Sequence, residues 1–291
     1  MENDDMRIKI TSIVNDVDSD ESPIIVMLLE HVVLYDESIK LLHELSDALP
    51  FATETDHFGE QTRPTCYFGD EDCVFSYVGL QLQPLQWPEV LRKLRDTVEA
   101  AVWEIVYPAI TKEYEPTPKD ESKPVRSTTG KKVSTDRQLL TACLANQYPK
   151  DRGYIPWHYD EIRAHGPTKT VASLSLGGPR RFLLRKRRSR GVAFNNNNND
   201  SVERDDDNEV DTHLIFADLM LPSGSVLLMT GNVQENYEHC LPLSLEQNTD
   251  TNLHRISLTF RSIVPGYEKQ QTDIATDRCC CMEQKGQAAS R

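Results

Sequence analysis

Leu139-Leu-Thr-Ala-Cys-Leu-Ala-Asn-Gln-Tyr148 is the first of several short β-prone segments, and together these segments decide the fold. The same kind of segment recurs along the rest of the chain, at residues 171–177, 181–184, 214–216, 224–229 and 256–260. Short strands in close succession, with no long helical pattern between them, predict an all-β core made of two sheets.

Two helical patterns precede these strands. In the first, Ile39, Leu42 and Leu45 share one face and the pattern ends before Pro50. The second opens at Pro88 and keeps apolar residues at helical spacing as far as Ile105. Because both helices need a surface on which to bury their apolar faces, we predict a double-stranded β-helix (jelly roll) braced by helices.

The upstream region also contains β-prone segments. Residues 22–34 include two apolar runs that predict an early strand. Residues 66–69 and 73–79 are short, rich in aromatic residues and separated by Asp and Gly, which predicts a hairpin.

Composition divides the chain into three regions. We expect an acidic N-terminus without fixed structure at residues 1–22, one catalytic domain at 23–265 and a polar tail at 266–291. Within the domain, polar insertions are predicted near 113–137 and 195–211.

The net charge of −14 is concentrated in two segments. Residues 1–21 carry −5 and residues 200–211 carry −6, which leaves only −3 for the remainder. A basic block stands against this acidity, formed by Arg180, Arg181, Arg185, Lys186, Arg187, Arg188 and Arg190. Arg185 to Arg188 are therefore candidates for phosphate contacts, with a solvated strand edge as the alternative.

Several features indicate the compartment. No apolar run approaches the roughly 20 residues of a membrane span, so no membrane partner is expected. Seven cysteines, an odd number without paired spacing, argue for reduced thiols, and three adjacent ones at 279–281 cannot easily converge on one metal ion. We expect a monomer in the nucleus, and also in the cytoplasm, with residues 185–188 as a candidate nuclear localisation signal.

His158-Tyr159-Asp160 can present two metal ligands together, because alternate side chains of an extended segment share a face. His239 is the candidate for a third ligand, since a return strand could bring it back to the first two. Taken alone, His239 reads as an ordinary packed or surface histidine. Two histidines and one carboxylate on one face suit Fe(II) that activates oxygen.

Two arginines indicate an anion site. Arg255 and Arg261 are separated by an even number of residues, so both share a strand face with Ser257. A buried arginine needs an anion, and two on one inner face predict a dicarboxylate ligand. The alternative is a pair of exposed strand arginines.

These residues resemble the motifs of the AlkB dioxygenases, especially the subgroup that repairs alkylated DNA. The similarity extends from about residue 34 to 264, outside the two polar insertions. It lies in Asn146-Gln-Tyr148, His158-Tyr-Asp160, Ala172–Gly177 with Arg181-Phe182, Gly224–Met229, His239-Cys-Leu-Pro242 and Arg255–Arg261.

The resemblance implies an Fe(II)-dependent enzyme that uses 2-oxoglutarate and O2 to remove alkyl groups from nucleic-acid bases, with DNA as the expected substrate. His158, Asp160 and His239 would bind the iron. The 2-oxoglutarate residues would be Asn146, Tyr148, Arg255, Ser257 and Arg261, with Arg255 on the far carboxylate.

The resemblance also implies a base-covering lid, in which Phe75 and Tyr77 would stack on a flipped base. Phe58 falls where duplex-DNA members carry an apolar wedge. The chain departs from many relatives two positions after the metal-binding aspartate, where Ile162 replaces a carboxylate, and this leaves the base preference open.

Two other functions stay open from the sequence. One is the same chemistry on RNA or on a protein side chain, which the acidic net charge and Ile162 allow. The other is an inactive nucleic-acid-binding module that keeps the fold. Complete metal and cosubstrate motifs argue against an inactive module, and the aromatic lid argues against a protein substrate.

Overall fold

A computed structural model describes ten parts of the chain. These are residues 8–16, 24–56, 59–77, 80–114, 139–149, 153–160, 165, 169–187, 215–243 and 253–267. The predicted insertion at 195–211 and the tail beyond residue 267 lie outside the described residues, as does almost all of the insertion at 113–137.

Fifteen strands and three helices make up the described chain. The helices are α1 (Tyr35–Ala48), α2 (Glu89–Tyr114) and the single turn α3 (Val233–Asn236). The first seven strands are β1 (Lys9–Asp16), β2 (Ile24–Glu30), β3 (Thr55–Asp56), β4 (Gly59–Glu60), β5 (Thr65–Gly69), β6 (Phe75–Tyr77) and β7 (Leu80–Leu82). The others are β8 (Ala142–Tyr148), β9 (Ile155–His158), β10 (Val171–Gly177), β11 (Arg180–Lys186), β12 (Ile215–Leu221), β13 (Val226–Gly231), β14 (Tyr237–Leu241) and β15 (Arg255–Arg261).

Two antiparallel sheets face each other, and the predicted jelly roll is confirmed. The major sheet has seven strands in the order β1-β2-β13-β10-β15-β8-β5, and the minor sheet has four in the order β12-β11-β14-β9. Strand neighbours in space are mostly distant in sequence, as expected when the chain alternates between two sheets. None of the described helices is long and apolar enough to cross a membrane.

Apolar residues on the two faces of the major sheet form separate cores. On its outer face, Leu174, Leu258 and Phe260 pack against the buried faces of α1 and α2. On its inner face, Val171 and Leu227 meet Phe182 and Leu184 from the minor sheet. This alternation along each strand leaves the polar inner positions to line the space between the sheets.

Gly177 ends β10 where the chain leaves the major sheet, and β11 begins in the minor sheet three residues later. Its φ of +93° lies in the left-handed region, and an added Cβ would stand 2.3 Å from the carbonyl oxygen of His254. Glycine is therefore required at this crossing.

The acidic N-terminus contains a strand that the sequence did not predict. We expected residues 1–22 to lack fixed structure, but β1 pairs with β2 along its whole length. Lys9 bonds Glu30 at 2.6 Å, and Ile13 and Val14 pack against the inner core. The segment is acidic overall and has only a few apolar residues, so its composition did not indicate a strand. Strand β1 forms because it can pair with β2 at the edge of the major sheet.

The predicted hairpin at residues 66–79 is wrong. β5 joins the major sheet beside β8, while β6 pairs with β7 in a separate two-stranded sheet. Local pattern could not distinguish these pairings, because β8 lies more than seventy residues beyond β5.

Candidate active site

His158 and His239 face each other on neighbouring strands of the minor sheet. They are directly paired between β9 and β14, and their ring centroids are 4.2 Å apart. Between this pair and the pair Ile155–Leu241, the register shifts by one residue. This β-bulge lets Ile155 and His158 both face the interior although they are three positions apart.

Asp160 lies just beyond the end of β9 and completes a cluster with the two histidines. One ligand atom from each of the three residues lies within 4.8 Å of the others. Asp160 is buried, and both of its carboxylate oxygens accept hydrogen bonds from Nη2 of Arg261 at 3.2 Å. Two imidazoles and one carboxylate are the donor set that fits Fe(II) and leaves coordination positions open.

The protonation states of these three side chains suit a metal cation. Burial lowers the pKa of His239 to about 3, with a further contribution from His158, and burial also lowers the pKa of His158. Burial alone would raise the pKa of Asp160, but the positive groups around it, Arg261 foremost, outweigh burial and hold that pKa below its usual range. At neutral pH the site therefore offers two neutral imidazoles and a carboxylate, the forms that bind metals.

The backbone of β9 fixes which nitrogen of His158 is available. Nδ1 lies 2.8 Å from the carbonyl oxygen of Pro156, and a carbonyl can only accept, so Nδ1 carries the proton. Nε2 is then the nitrogen left for a metal. This is the supporting contact that metal-binding histidines usually make.

A polar pocket lies next to the histidines on the inner face of the major sheet. Strands β15 and β8 pair so that Arg255 stands opposite Tyr148 and Ser257 opposite Asn146. All five residues assigned to 2-oxoglutarate thus lie on these two adjacent strands, with Arg261 at the far end of β15.

Arg255 is the group in this pocket that needs an anion. It is 2% exposed, and Nη2 donates to the hydroxyls of Ser175 and Ser257. Within the described chain, Nε and Nη1 are buried without a hydrogen-bond partner. Burial lowers its pKa to about 10, so Arg255 is still charged at neutral pH. A buried guanidinium with two open donors fits a carboxylate.

Arg261 already has an anionic partner in the protein. We expected both arginines to hold a dicarboxylate, but Arg261 is bonded to Asp160 and its Nη1 donates to the carbonyl of Thr259. Its Nε has no partner within the described residues. Arg261 thus connects the metal cluster to the cosubstrate pocket, a role that spacing on one strand could not reveal.

This arrangement agrees with a family comparison. The family model described as the 2OG-Fe(II) oxygenase superfamily matches residues 26–261. The chain belongs to this superfamily. The oxygenase is a 2-oxoglutarate-dependent dioxygenase with Fe(II) as its metal and O2 as cosubstrate, as the sequence predicted.

Its curated relatives are of the AlkB type. Human alpha-ketoglutarate-dependent dioxygenase alkB homolog 3 is 22% identical over 77% of this chain and 61% of its own length. DNA oxidative demethylase ALKBH2 is 25% identical in mouse, over 79% of this chain and 76% of its own, and 30% identical in Arabidopsis thaliana, over 43% and 38%. The oxygenase thus spans less than two thirds of the human and Arabidopsis proteins. The solved structure of OsALKBH1 gives a TM-score of 0.48 at 17% identity, covering 81% of this chain and 96% of that one.

The β6–β7 hairpin of the oxygenase contacts Arg261, the residue that binds Asp160 of the metal cluster. Phe75 is 2% exposed and packed between Tyr67, Tyr77 and the Arg261 guanidinium, which lies 4.8 Å from its ring. We expected Phe75 to stack on a substrate base, but its ring is covered by these three neighbours. Tyr77 remains half-buried and is the lid aromatic with open surface.

Two residues beside Tyr77 were not singled out from the sequence. Nε of Arg63 donates to Oδ1 of Asn146 at 3.2 Å, and Oε1 of Gln61 accepts from the Tyr77 hydroxyl at 3.3 Å. They lie in the connection between β4 and β5, where the residue types carry no periodic signal. Only the folded arrangement places them at the rim of the site.

Most of the described basic block is bonded within the protein. Arg180 is buried and donates to the carbonyls of Gly153 and Pro242, and Arg181 pairs with Asp218. Arg185 pairs with Glu238 at 2.5 Å, whereas Lys186 is exposed. The expectation that Arg185 is free to bind phosphate is therefore corrected, because the pairing of β11 with β14 places Glu238 opposite it as an internal acceptor.

Arg187 is also bonded, and the remaining assignments cannot be placed. The Arg187 guanidinium lies 3.8 Å from the Tyr159 ring centroid and donates to two carbonyls of α3. The candidate wedge Phe58, the basic residue Arg188 and the substituted position Ile162 lie outside the described residues.

Proposed function

We propose that this oxygenase oxidatively removes N-alkyl groups from nucleic-acid bases, with DNA as its main substrate. The observation that carries the proposal is the half-buried Tyr77 ring, which stacks on Phe75 next to the Arg261 guanidinium that binds Asp160. A flat aromatic surface next to an oxidising centre suits a flipped base, because every base has a face that can stack. The mouse and Arabidopsis relatives are named DNA oxidative demethylases.

The residues present fit the iron and the cosubstrate. His158, Asp160 and His239 would hold the metal, and the open donors of Arg255 would hold the far carboxylate of 2-oxoglutarate. When bound, iron, 2-oxoglutarate and O2 supply the hydroxylation of the N-alkyl carbon, after which the product collapses to an aldehyde and the unmodified base.

The protein itself contributes position and charge. The sheet pairing fixes Asn146, Tyr148, Ser257 and Arg255 on one surface, so the cosubstrate meets a rigid pocket. Arg261 holds the Asp160 carboxylate in its ionised form. Asp160, His239 and Arg255 are buried, which limits the access of solvent to the groups that would react.

The rim offers contacts for the base. Tyr77 can stack on it, while Gln61 holds the Tyr77 hydroxyl and Arg63 stands beside Asn146. A damaged base pairs poorly, so its extrusion costs less than that of an intact base, which helps such an enzyme to find lesions.

The test is a panel of methylated oligonucleotides with purified protein, Fe(II) and 2-oxoglutarate. We expect removal of the methyl group, with equimolar succinate, from single- or double-stranded DNA at a higher rate than from RNA of the same sequence. Faster turnover of RNA would make it an RNA demethylase. Succinate formation on protein substrates alone, or on no substrate with intact metal binding, would contradict the proposal.

A further inference from the structure

Asp160 lies outside the sheet that holds the two histidines. Strand β9 ends at His158, two residues before Asp160. A metal ligand at such a position needs another contact to hold its backbone, because a displacement of about 1 Å is enough to impair a site of this kind.

Gln234 makes that contact. Its Oε1 accepts a hydrogen bond from the backbone nitrogen of Asp160 at 2.9 Å, and its Nε2 donates to the Met229 sulfur at 3.7 Å. The side chain is 1% exposed. Reversing the amide would place an N–H group against the Asp160 N–H, so the two contacts together fix its orientation.

The helix that carries Gln234 is itself anchored at both ends. Nζ of Lys169 donates to Asn232 and Glu235, each at 2.6 Å. Nη1 of Arg187 donates to the carbonyls of Gln234 and Glu235 at 3.1 and 3.2 Å, and its guanidinium lies over Tyr159, the residue before Asp160. Because Lys169 also bonds Asn232 and Arg187 bonds two backbone carbonyls, the turn α3 stays in place when the single Lys169–Glu235 pair is removed.

We propose that Gln234 is the positioning residue for Asp160, which sets the carboxylate in place for the iron. Arg261 directs the carboxylate oxygens, and Gln234 fixes the backbone from which the carboxylate projects. The inference rests on the iron assignment and is independent of which substrate the enzyme oxidises.

The experiment measures the binding of Mn²⁺, a redox-stable substitute for Fe²⁺, by calorimetry at saturating 2-oxoglutarate. Gln234→Leu keeps the volume and removes the acceptor, and Gln234→Asn withdraws the amide by one methylene. Gln234→Glu keeps an oxygen acceptor. Glu235→Ala is the matched control, because it removes an ion pair from the same turn without touching Asp160. Thermal unfolding of the metal-free proteins shows whether each variant is folded.

We expect Gln234→Leu and Gln234→Asn to weaken Mn²⁺ binding about 10- to 100-fold, the usual effect of losing a contact behind a metal ligand. Gln234→Glu and Glu235→Ala should stay within about threefold of the parent. If Gln234→Leu does not fold, Gln234→Asn carries the test.

The inference is overturned if the folded leucine or asparagine variant binds Mn²⁺ as the parent does. It is also overturned if Glu235→Ala or Gln234→Glu loses as much affinity as Gln234→Leu. Asp160→Ala, which should bind no Mn²⁺, validates the assay. A parent that binds Mn²⁺ in a Gln234-dependent manner but demethylates no oligonucleotide would refute the proposed substrate and leave this inference standing.

Discussion

Asp160 interacts with groups of two kinds, and this matters for how its variants should behave. It belongs to the metal cluster, and it is also the anion that neutralises the buried Arg261. His158 and His239 are held neutral by burial, so they balance no charge at the site. Loss of a ligand and loss of a counterion are therefore separable effects at this site.

We predict that His158→Ala and Asp160→Ala both abolish turnover, since each removes one of three bonds to iron. Only Asp160→Ala should also lower the free energy of unfolding strongly, by about 3–5 kcal/mol, because it leaves Arg261 charged and buried without a partner. Succinate assays and urea unfolding of the metal-free proteins test both parts. Wild-type turnover in either variant would refute the metal assignment.

Arg255→Ala should weaken 2-oxoglutarate binding by about 2–5 kcal/mol, the usual loss when a charged partner stays buried. The change removes the open donors that face the cosubstrate pocket. Titration of 2-oxoglutarate in the turnover assay measures the effect, with the surface variant Arg181→Ala as control. If Arg255→Ala requires the same concentration of 2-oxoglutarate as the parent, another residue binds the far carboxylate of 2-oxoglutarate.

The low pKa of His239 should make the metal-free protein less stable in acid. The unfolded histidine takes up a proton near its ordinary pKa of 6.5, whereas the folded one stays neutral until about pH 3. The unfolded state thus binds more protons between these values, and the free energy of unfolding should fall as the pH falls, by up to about 1.4 kcal/mol per unit from this group. His239→Asn should show a shallower slope in urea unfolding between pH 6.5 and 5, and an equal slope would contradict the assignment.

Residue types and spacing brought forward His158, Asp160 and His239, which the structure places within 4.8 Å of one another. Arg255 was also a candidate from its spacing on a regular strand. The sequence could not reveal the partner of Arg261, since Asp160 is 101 positions away and contacts Arg261 only in the folded protein. Gln234 was missed for the same reason. A glutamine in a short polar turn has no periodic or chemical signature in the sequence.

At the scale of an element, β11 shows how a basic segment can be structural. Arg185 bonds Glu238 on β14 and lies 4.1 Å from the Trp157 ring centroid on the far side of that strand. These contacts tie three strands of the minor sheet together. Lys186, the next residue, is exposed.

We predict different effects on stability for substitutions of Arg185 and Lys186. Arg185→Gln should lower the free energy of unfolding by about 1–3 kcal/mol, because it leaves the Glu238 carboxylate largely buried without its charged partner. Lys186→Ser should leave the free energy of unfolding nearly unchanged. It should flatten the salt dependence of oligonucleotide binding, because the predicted Lys186 contact to phosphate is lost. Equal salt slopes for Lys186→Ser and the parent would mean that Lys186 is only solvated.

At the scale of the whole molecule, β1 covers the edge of the major sheet that would otherwise be open. It pairs with β2, whose residues Val26 and Leu28 belong to the inner core. The sequence indicated an acidic segment here and gave no reason to join it to the sheet. Its strand character depends on an edge that forms only when β2 has paired with β13.

Deletion of residues 1–16 should therefore lower the midpoint of thermal unfolding and promote association. An unprotected apolar edge strand is a template for pairing with other chains. Differential scanning calorimetry and light scattering at several protein concentrations measure the two effects. The metal-binding histidines lie in the other sheet, so the deletion variant should still bind Mn²⁺. An unchanged midpoint of thermal unfolding would show that β1 does not stabilise the fold.

The pairing of Arg261 with Asp160 has a consequence for the order of assembly. Among the described residues, Arg180, Arg255 and Arg261 place three cations in the interior, against the single carboxylate of Asp160. A divalent metal that entered alone would increase this imbalance, whereas a dianion that entered first would offset it. Binding of the metal thus lowers the electrostatic cost of binding the cosubstrate, and the reverse also holds. By thermodynamic reciprocity, the metal must raise the affinity for the cosubstrate by the same factor as the cosubstrate raises the affinity for the metal. We therefore expect small dicarboxylates other than the cosubstrate, succinate among them, to compete for the same positively charged interior.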